Sequence, residues 1–279
     1  MRKIFKLFTA ALAITLSAAL LSSCGPRPAT TFVVLDEALD AEQYGIGFRI
    51  GDIALGLEVQ RIMDEMIQDG KAAEISNKWF GEDILLKNQD FYKETAAPEG
   101  DGSLEAIKTK GELILGLDDS FPPMGFRDEN NNIVGFDIDL AREVASRMGV
   151  KLTLQPINWD SKELELSAGR IDCIWNGMTI TDERVANMFF AKAYIANRQI
   201  VIVPENSNIK TIANLEGKKV GLQKGSSSLE ALNKNPVAAL VGSLTELDDN
   251  VTVFLELKAG RIDAFVVDEV AGRYIISNN

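Results

Sequence analysis

The stretch LELSAGRID at residues 164–172 returns as LELKAGRID at residues 255–263. An offset of 91 residues is far too long for a stacked solenoid and points instead to two similar globular lobes. In each copy a helical run stops at a glycine, Gly169 or Gly260, and a short apolar strand follows, residues 171–175 in the first and 262–267 in the second. The copies differ in what comes next. The first runs into Asn176, Gly177, Thr179 and then Arg184, whereas the second runs directly into Asp268 and Glu269. Ligands of open α/β sheets bind beyond the carboxyl ends of the strands, so two lobes that face each other set Arg184 against Asp268. A cation opposed to an anion across a cleft suits a zwitterion.

The start of the chain carries a different kind of signal. Residues 1–23 contain Arg2, Lys3 and Lys6 and no acid, followed by an apolar run over 7–21 that fits a signal-peptide core and is short for a membrane span. Its removal takes the net charge from −12 to −15. Such acidity argues against nucleic acid or anionic lipid as a main partner. The segment LSSCG at 21–25 resembles a bacterial lipobox, with Cys24 as the lipidated new N-terminus; the competing reading is an ordinary signal peptide with a chance cysteine. With Cys24 lipidated, Cys173 is the one remaining thiol, and it reads as a small hydrophobe inside an apolar strand.

Beyond a short proline-containing linker at 24–31, the pattern predicts a strand at 32–35, an amphipathic helix at 52–70 and a second helix at 72–79. Residues 87–103 dissolve into a polar, acidic linker. A helix at 104–108 and a strand at 112–117 follow, the strand opening into Asp118 and Phe121. A hairpin spans 126–136, and Asp137 is expected to cap the next helix. Asp128, Asn130 and Asn132 do not make an EF-hand, because the sixth position is Ile133 and the twelfth Asp139. A strand at 151–157 leads to Trp159, and strands at 199–203 and 219–222 precede the turn Gln223-Lys224-Gly225-Ser226-Ser227-Ser228 and a helix at 229–233.

Each candidate site residue has two readings in isolation. The Gly225–Ser228 turn offers N–H groups and hydroxyls to an anion, or plain N-capping. Arg184 is either a ligand contact or a surface residue in a helix capped by Thr181. Phe121 and Trp159 are either pocket walls or core. Asp268 is either an anion for a ligand or an N-cap. What joins them is position, since each lies just past a predicted strand.

The stretches LILGLDDSFPPMGF, IVGFDIDLAREVASRMG, RIDCIWNGMTITDERV, KKVGLQKGSSS and RIDAFVVDEVA resemble, in that order, the polar amino-acid substrate-binding proteins of bacterial ABC importers. The resemblance implies an α/β, two-lobed periplasmic-binding-protein fold of the second type with two hinge crossovers. It also implies roles: Arg184 clamping a ligand carboxylate with Thr179, Ser226 and Ser227, Asp268 and the Gly177 carbonyl taking the ammonium, and Asp118 and Gln223 touching the side chain. Phe121 and Trp159 match the aromatic walls, and Asn176 lies beside them. One departure stands out. The segment over 32–84 resembles the end of such proteins yet precedes the part that resembles their beginning, and residues 273–279 fall where the family passes into a strand like 32–35. The order reads as a circular permutation, with 32–45 the last strand and hinge of lobe two, 46–197 lobe one, 87–103 the permutation linker and 198–279 the remainder of lobe two.

The expected function is a lipid-anchored extracytoplasmic receptor, a monomer that captures a free amino acid and delivers it to an ABC permease. Glutamine-like or cystine-like ligands are favoured, because Asp118 suits a side-chain donor and Gln223 an uncharged polar one. No cofactor and no metal are expected. The rivals are an enzyme on the same fold, such as a dehydratase, and an amino-acid sensing module. Against catalysis stand the absence of any histidine and of a serine nucleophile elbow.

Overall fold

The computed structural model describes residues 30–87 and 96–278; the leader, Cys24 and residues 88–95 of the expected linker lie outside them. A short β1 (Phe32–Val34) and the ten-residue β2 (Asp40–Arg49) come first, then α1 (Ile53–Gln68), α2 (Lys71–Phe80) and α3 (Ser103–Lys110). Next is β3 (Glu112–Leu117), followed by a small antiparallel sheet of β4 (Ser120–Phe121), β5 (Gly125–Arg127) and β6 (Ile133–Val134). The chain continues through α4 (Phe136–Met148), β7 (Lys151–Pro156), α5 (Lys162–Ser167), β8 (Cys173–Thr179), α6 (Asp182–Asn187) and β9 (Met188–Phe190) to a second ten-residue strand, β10 (Ile195–Pro204). It ends with β11 (Lys219–Gln223), α7 (Ser228–Asn233), β12 (Ser243–Leu247), α8 (Asn250–Lys258), β13 (Ala264–Asp268) and α9 (Glu269–Ser277). Among the described residues no helix is long and apolar enough to cross a membrane.

The main sheet is built twice. In one half β7, β3 and β8 run parallel, β2 lies antiparallel to β8, and β9 lies antiparallel to β2. In the other half β12, β11 and β13 run parallel, β10 lies antiparallel to β13, and β1 lies antiparallel to β10. The halves meet where β2 and β10 pair with each other, Asp40 to Tyr44 against Gln199 to Ile195. The residues that continue each of these two strands past the shared ladder belong to opposite halves. The strands at the chain's two ends therefore share a sheet, with β1 and β13 on either side of β10.

The repeated nonapeptide has the same task in each half. Gly169 and Gly260 both stop their helices with φ of 71°, a conformation that costs glycine little. Two residues on, Ile171 and Ile262 press onto glycines of the first strand, so that a Cβ on Gly116 or Gly221 would meet the isoleucine Cδ1 at 2.4 Å. Asp172 then accepts the N–H of Ile114 at 2.7 Å and Asp263 that of Lys219 at 2.8 Å, fastening the repeat to β3 and β11 alike. Arg170 and Arg261 each turn back onto Glu165 and Glu256. The sequence repeat is thus a packing unit, helix to strand to central glycine.

Local sequence accounts for the rest. In α1 the residues Leu55, Val59, Ile62, Met63 and Met66 share the buried face. The first turn of α1 has no side-chain cap of its own; Asp101 accepts from Ala54 N at 2.6 Å and Ser103 from Leu55 N at 3.1 Å. The end of the polar 87–103 segment therefore caps a helix near fifty residues upstream. Asp137, expected as the cap of α4, is instead inside its first turn, with Gly135 at the N-cap. Its carboxylate is buried and accepts from Gly177 N at 2.7 Å and Tyr194 Oη at 2.9 Å. Burial pushes Asp137 up to about 7. β8 also runs further than expected, so that Asn176, Gly177 and Thr179 belong to its last turns of pleat instead of following it.

Adding a methyl group at Gly116 forces Ile171 off its seat, and overpacking of this kind costs about 1–3 kcal/mol. Gly116→Ala is expected to lower the unfolding midpoint measurably in thermal melts. Combining it with Ile171→Val, which removes the colliding Cδ1, should recover part of the loss.

Candidate functional site

Two parallel pairs of strands, one from each half, end at one cleft. β3 delivers Asp118, β8 delivers Asn176, Gly177 and Thr179, β11 delivers Gln223, and β13 delivers Asp268 as its last residue. α6, capped by Thr181 through the Arg184 N–H, adds Arg184; the turn before α7 adds Ser226 and Ser227; Phe121 and Trp159 close the sides. All eleven residues singled out from the sequence line a single pocket, with about 270 Å³ of atom-free space that is partly open to solvent. The wall readings and core readings of the aromatics coincide, since Phe121 and Trp159 are both buried in hydrophobic clusters and both line the cavity.

Glycine is required at 177 for two reasons. Its φ is 57°, and a Cβ there would meet the Phe121 ring at 2.8 Å. The pairing of β2 with β8 shifts register between Gly45 and Gly47, opposite this point. Asn176 spends its oxygen on the Asp118 N–H at 3.1 Å, while its Nδ2 is buried and has no partner. That nitrogen packs against Gly125, where a Cβ would meet it at 2.5 Å.

The buried charges are satisfied by neutral groups. Arg184 donates to the carbonyl of Thr179 at 2.8 Å and to that of Gly225 at 3.2 Å, with no carboxylate bonded to it. Burial pulls its pKa below the ordinary value. Asp268 accepts from Tyr44 Oη at 2.7 Å and Asn197 Nδ2 at 2.8 Å, and it sits at the N-terminus of α9 without capping it. Burial first, and then the Glu42 carboxylate nearby, push Asp268 up to about 7. Burial likewise raises Asp118 to about 6, against the lowering effect of the Ser120 N–H and of Gln223 Nε2, which donates to it at 2.7 Å. Gln223 is held from behind by Asn250, whose Nδ2 reaches its Oε1 at 2.8 Å.

Contacts also bridge the two sides of the cleft. Thr179 Oγ1 lies 3.0 Å from Ser227 Oγ, and Lys224 pairs with Asp160 at 2.8 Å. Lys162, buried over the Trp159 ring, donates to the Gly225 carbonyl at 2.8 Å, and burial with Arg184 beside it pulls its pKa down to about 8. At Gly225 the main chains nearly touch: a Cβ would meet Asp160 Cα at 2.8 Å. Of the three serines, Ser226 bonds within its own turn, donating to the Gln223 carbonyl at 2.7 Å, and Ser227 stands at the N-cap of α7 with no side-chain cap bond.

Glu42, Tyr44, Asn197, Gln199 and Lys162 support the cleft and were not singled out. The first four sit on β2 and β10, where the i, i+2 spacing of 42 and 44 and of 197 and 199 puts each pair on one face of its strand. That spacing was the available signal; which strand pairs with which was not.

Residues 113–247 match the model for the bacterial extracellular solute-binding proteins, family 3. The chain is 35% identical to the L-cystine-binding protein of Escherichia coli (strain K12) over 173 residues, 61% of this chain, and spans 64% of that protein's length. It is 32% identical to the glutamine-binding protein of Geobacillus stearothermophilus over 192 residues, covering 67% of this chain and 72% of the relative. Among solved structures, the arginine-bound form of a truncated T. maritima arginine-binding protein shares 38% identity at a TM-score of 0.59, covering 63% of this chain and 82% of that one.

Asp268 keeps its proton in the folded, ligand-free protein up to pH of about 7, whereas the unfolded chain releases it near the ordinary value of about 3.9. The folded state therefore holds more protons across this window, and the contribution of Asp268 to stability falls as pH rises through it. Asp268→Asn, which stays neutral, is expected to gain in melting temperature relative to the unsubstituted protein as pH goes from 5 to 8. A difference that stays constant with pH would contradict the assignment.

Proposed function

Because the chain belongs to the bacterial extracellular solute-binding proteins, family 3, we propose that it is the capture component of an ABC importer, an extracytoplasmic lipoprotein anchored through Cys24 that binds a polar amino acid and hands it to a membrane permease. The observation that carries this reading is the pair of buried groups Arg184 and Asp268, a guanidinium and a carboxyl group each bonded to neutral dipoles and not to the other, on the wall of one small cavity. A free amino acid brings both missing partners. Its carboxylate goes to Arg184 with Ser226 and Ser227, and its ammonium to Asp268 and the Gly177 carbonyl. Charge-assisted bonds of this kind are the strong ones.

The ligand's side chain lies toward Asp118 and Gln223. A side chain with a donor, glutamine-like or cystine-like, suits Asp118, and Gln223 beside it is uncharged and polar. The names of the relatives, cystine-binding, glutamine-binding and arginine-binding, span this chemistry. β2 and β10 act as the hinge, since they alone run on from the shared ladder into opposite halves. The arrangement of β1 beside β10 and of β2 beside β8 supports reading the chain as circularly permuted: each half takes one strand from the N-terminal segment, in the place its counterpart in the other half fills with a later strand.

Closure between halves adds ligand contacts that the open form lacks, which is what gives a ligand its preference for the closed state. A thermal-shift panel of the common L-amino acids identifies the ligand, since binding to the folded form raises the midpoint. With that ligand, calorimetry on Arg184→Ala and Asp268→Ala is expected to show a loss of about 2–5 kcal/mol each. Affinity within about threefold of the unsubstituted protein, roughly 0.65 kcal/mol, would remove that residue from the clamp.

A further inference from the structure

Glu42 lies on β2, directly across the ladder from Asn197 of β10, and one of its oxygens is a meeting point. Oε2 accepts from Asn197 Nδ2 at 3.1 Å, from Gln199 Nε2 at 3.0 Å and from Thr179 Oγ1 at 3.0 Å. The two amide groups are fixed in direction by their other bonds: Asn197 Nδ2 also serves Asp268, and Gln199 Oε1 accepts from Ser228 Oγ at 2.8 Å. An oxygen that receives two amide N–H bonds is an acceptor, so the single hydroxyl proton of Thr179 points at Glu42. Ser227 Oγ in turn receives Gln199 Nε2 at 3.2 Å, and its own proton is left for Thr179 Oγ1, 3.0 Å away.

The hydroxyls thus form a directed chain, Ser227 to Thr179 to Glu42, and the Ser227–Thr179 link joins the two sides of the cleft. The same two residues also line a second cavity, of about 440 Å³, that Glu42 borders on the hinge-strand side. They form the partition between that cavity and the cleft.

We infer that Glu42 is a positioning residue: by accepting the Thr179 proton it makes Thr179 an acceptor for Ser227, and so holds the back wall of the cleft shut across its two sides. Resting on the reading of the cleft as a ligand site, this reassigns Thr179, whose hydroxyl has no proton left for a ligand carboxylate. Its task is to receive the opposite half. By the same count the hydroxyl protons of Ser226 and Ser227 are spent on the Gln223 carbonyl and on Thr179, so the ligand carboxylate relies on Arg184 and on main-chain N–H groups of the serine turn. The tightness of the closed form depends on a carboxylate that never touches the ligand.

The test uses the full-length protein and three probes, L-glutamine, L-cystine and L-arginine, with the tightest taken forward. Glu42→Met, which removes the accepting oxygens at similar length, is expected to weaken binding about tenfold, which is about 1.4 kcal/mol. Glu42→Gln retains an accepting oxygen and is expected to bind within threefold of the unsubstituted protein. In a Thr179→Val background, Glu42→Met should add less than threefold, whereas in Thr179→Ser it should keep its full effect, because only residues acting through one another are non-additive. Independent losses for Glu42→Met and Thr179→Val, or equal losses for Glu42→Met and Glu42→Gln, would overturn the inference. If none of the probes binds the unsubstituted protein, the amino-acid reading fails on its own account. The same cycle read by thermal unfolding without ligand then decides the Glu42 to Thr179 coupling, by non-additivity for it or additivity against it.

Discussion

The short antiparallel ladder between residues 40–44 and 195–199 places everything else. Each strand of the pair is ten residues long, and only half of each is used in pairing with the other. The remaining halves continue in opposite directions, each antiparallel beside one of the two parallel arrays, β2 beside β8 and β10 beside β13. A sheet that would otherwise be one broad twisted surface is divided into two, with the carboxyl ends of both arrays brought to the same gap. That is why side chains from 118, 176–179, 223 and 268, far apart in the chain, converge on one cavity.

The electrostatics of the gap follow from burial without pairing. An isolated buried charge is costly, and proteins normally supply an opposite charge or let the group go neutral. Here Arg184 is surrounded by carbonyls and Asp268 by a phenol and an amide, while Asp118 and Asp268 are pushed toward neutrality by burial. Neutral dipoles surround both groups without pairing them to an opposite charge. The site offers a cation at Arg184 and a carboxyl group at Asp268 that burial biases toward its protonated form, with Glu42 behind accepting from the surrounding hydroxyl and amides.

Much of this was legible in the sequence because two physical signals are local. Helix and strand periodicity located α1, α2, α4, β3 and β7 to within a residue or two, and glycine stops at 169 and 260 marked where each repeat turns back. The cleft residues were legible because all sit at or near strand ends, a property of position in the chain, and because the stretches that carry them resemble those of a known family. What stayed hidden depends on partners distant in sequence. Asp137 reads as a helix cap from its neighbours, and only the approach of Gly177 and Tyr194 makes it a buried acceptor. The extension of β8 through Thr179 depends on its pairing with β2, and the roles of Glu42, Tyr44, Asn197 and Gln199 exist only because two ladders cross. Asp101 capping α1 is of the same kind, a bond no window of the sequence contains.

At Gly225 the two sides of the gap approach at main-chain distance, with Asp160 Cα standing where a side chain would begin. Side chains can rotate aside, but two backbones cannot interpenetrate, so this point works like a gauge block set between jaws. The separation of the two sides at this point is set by main-chain contact, and any side chain at 225 would have to push them apart.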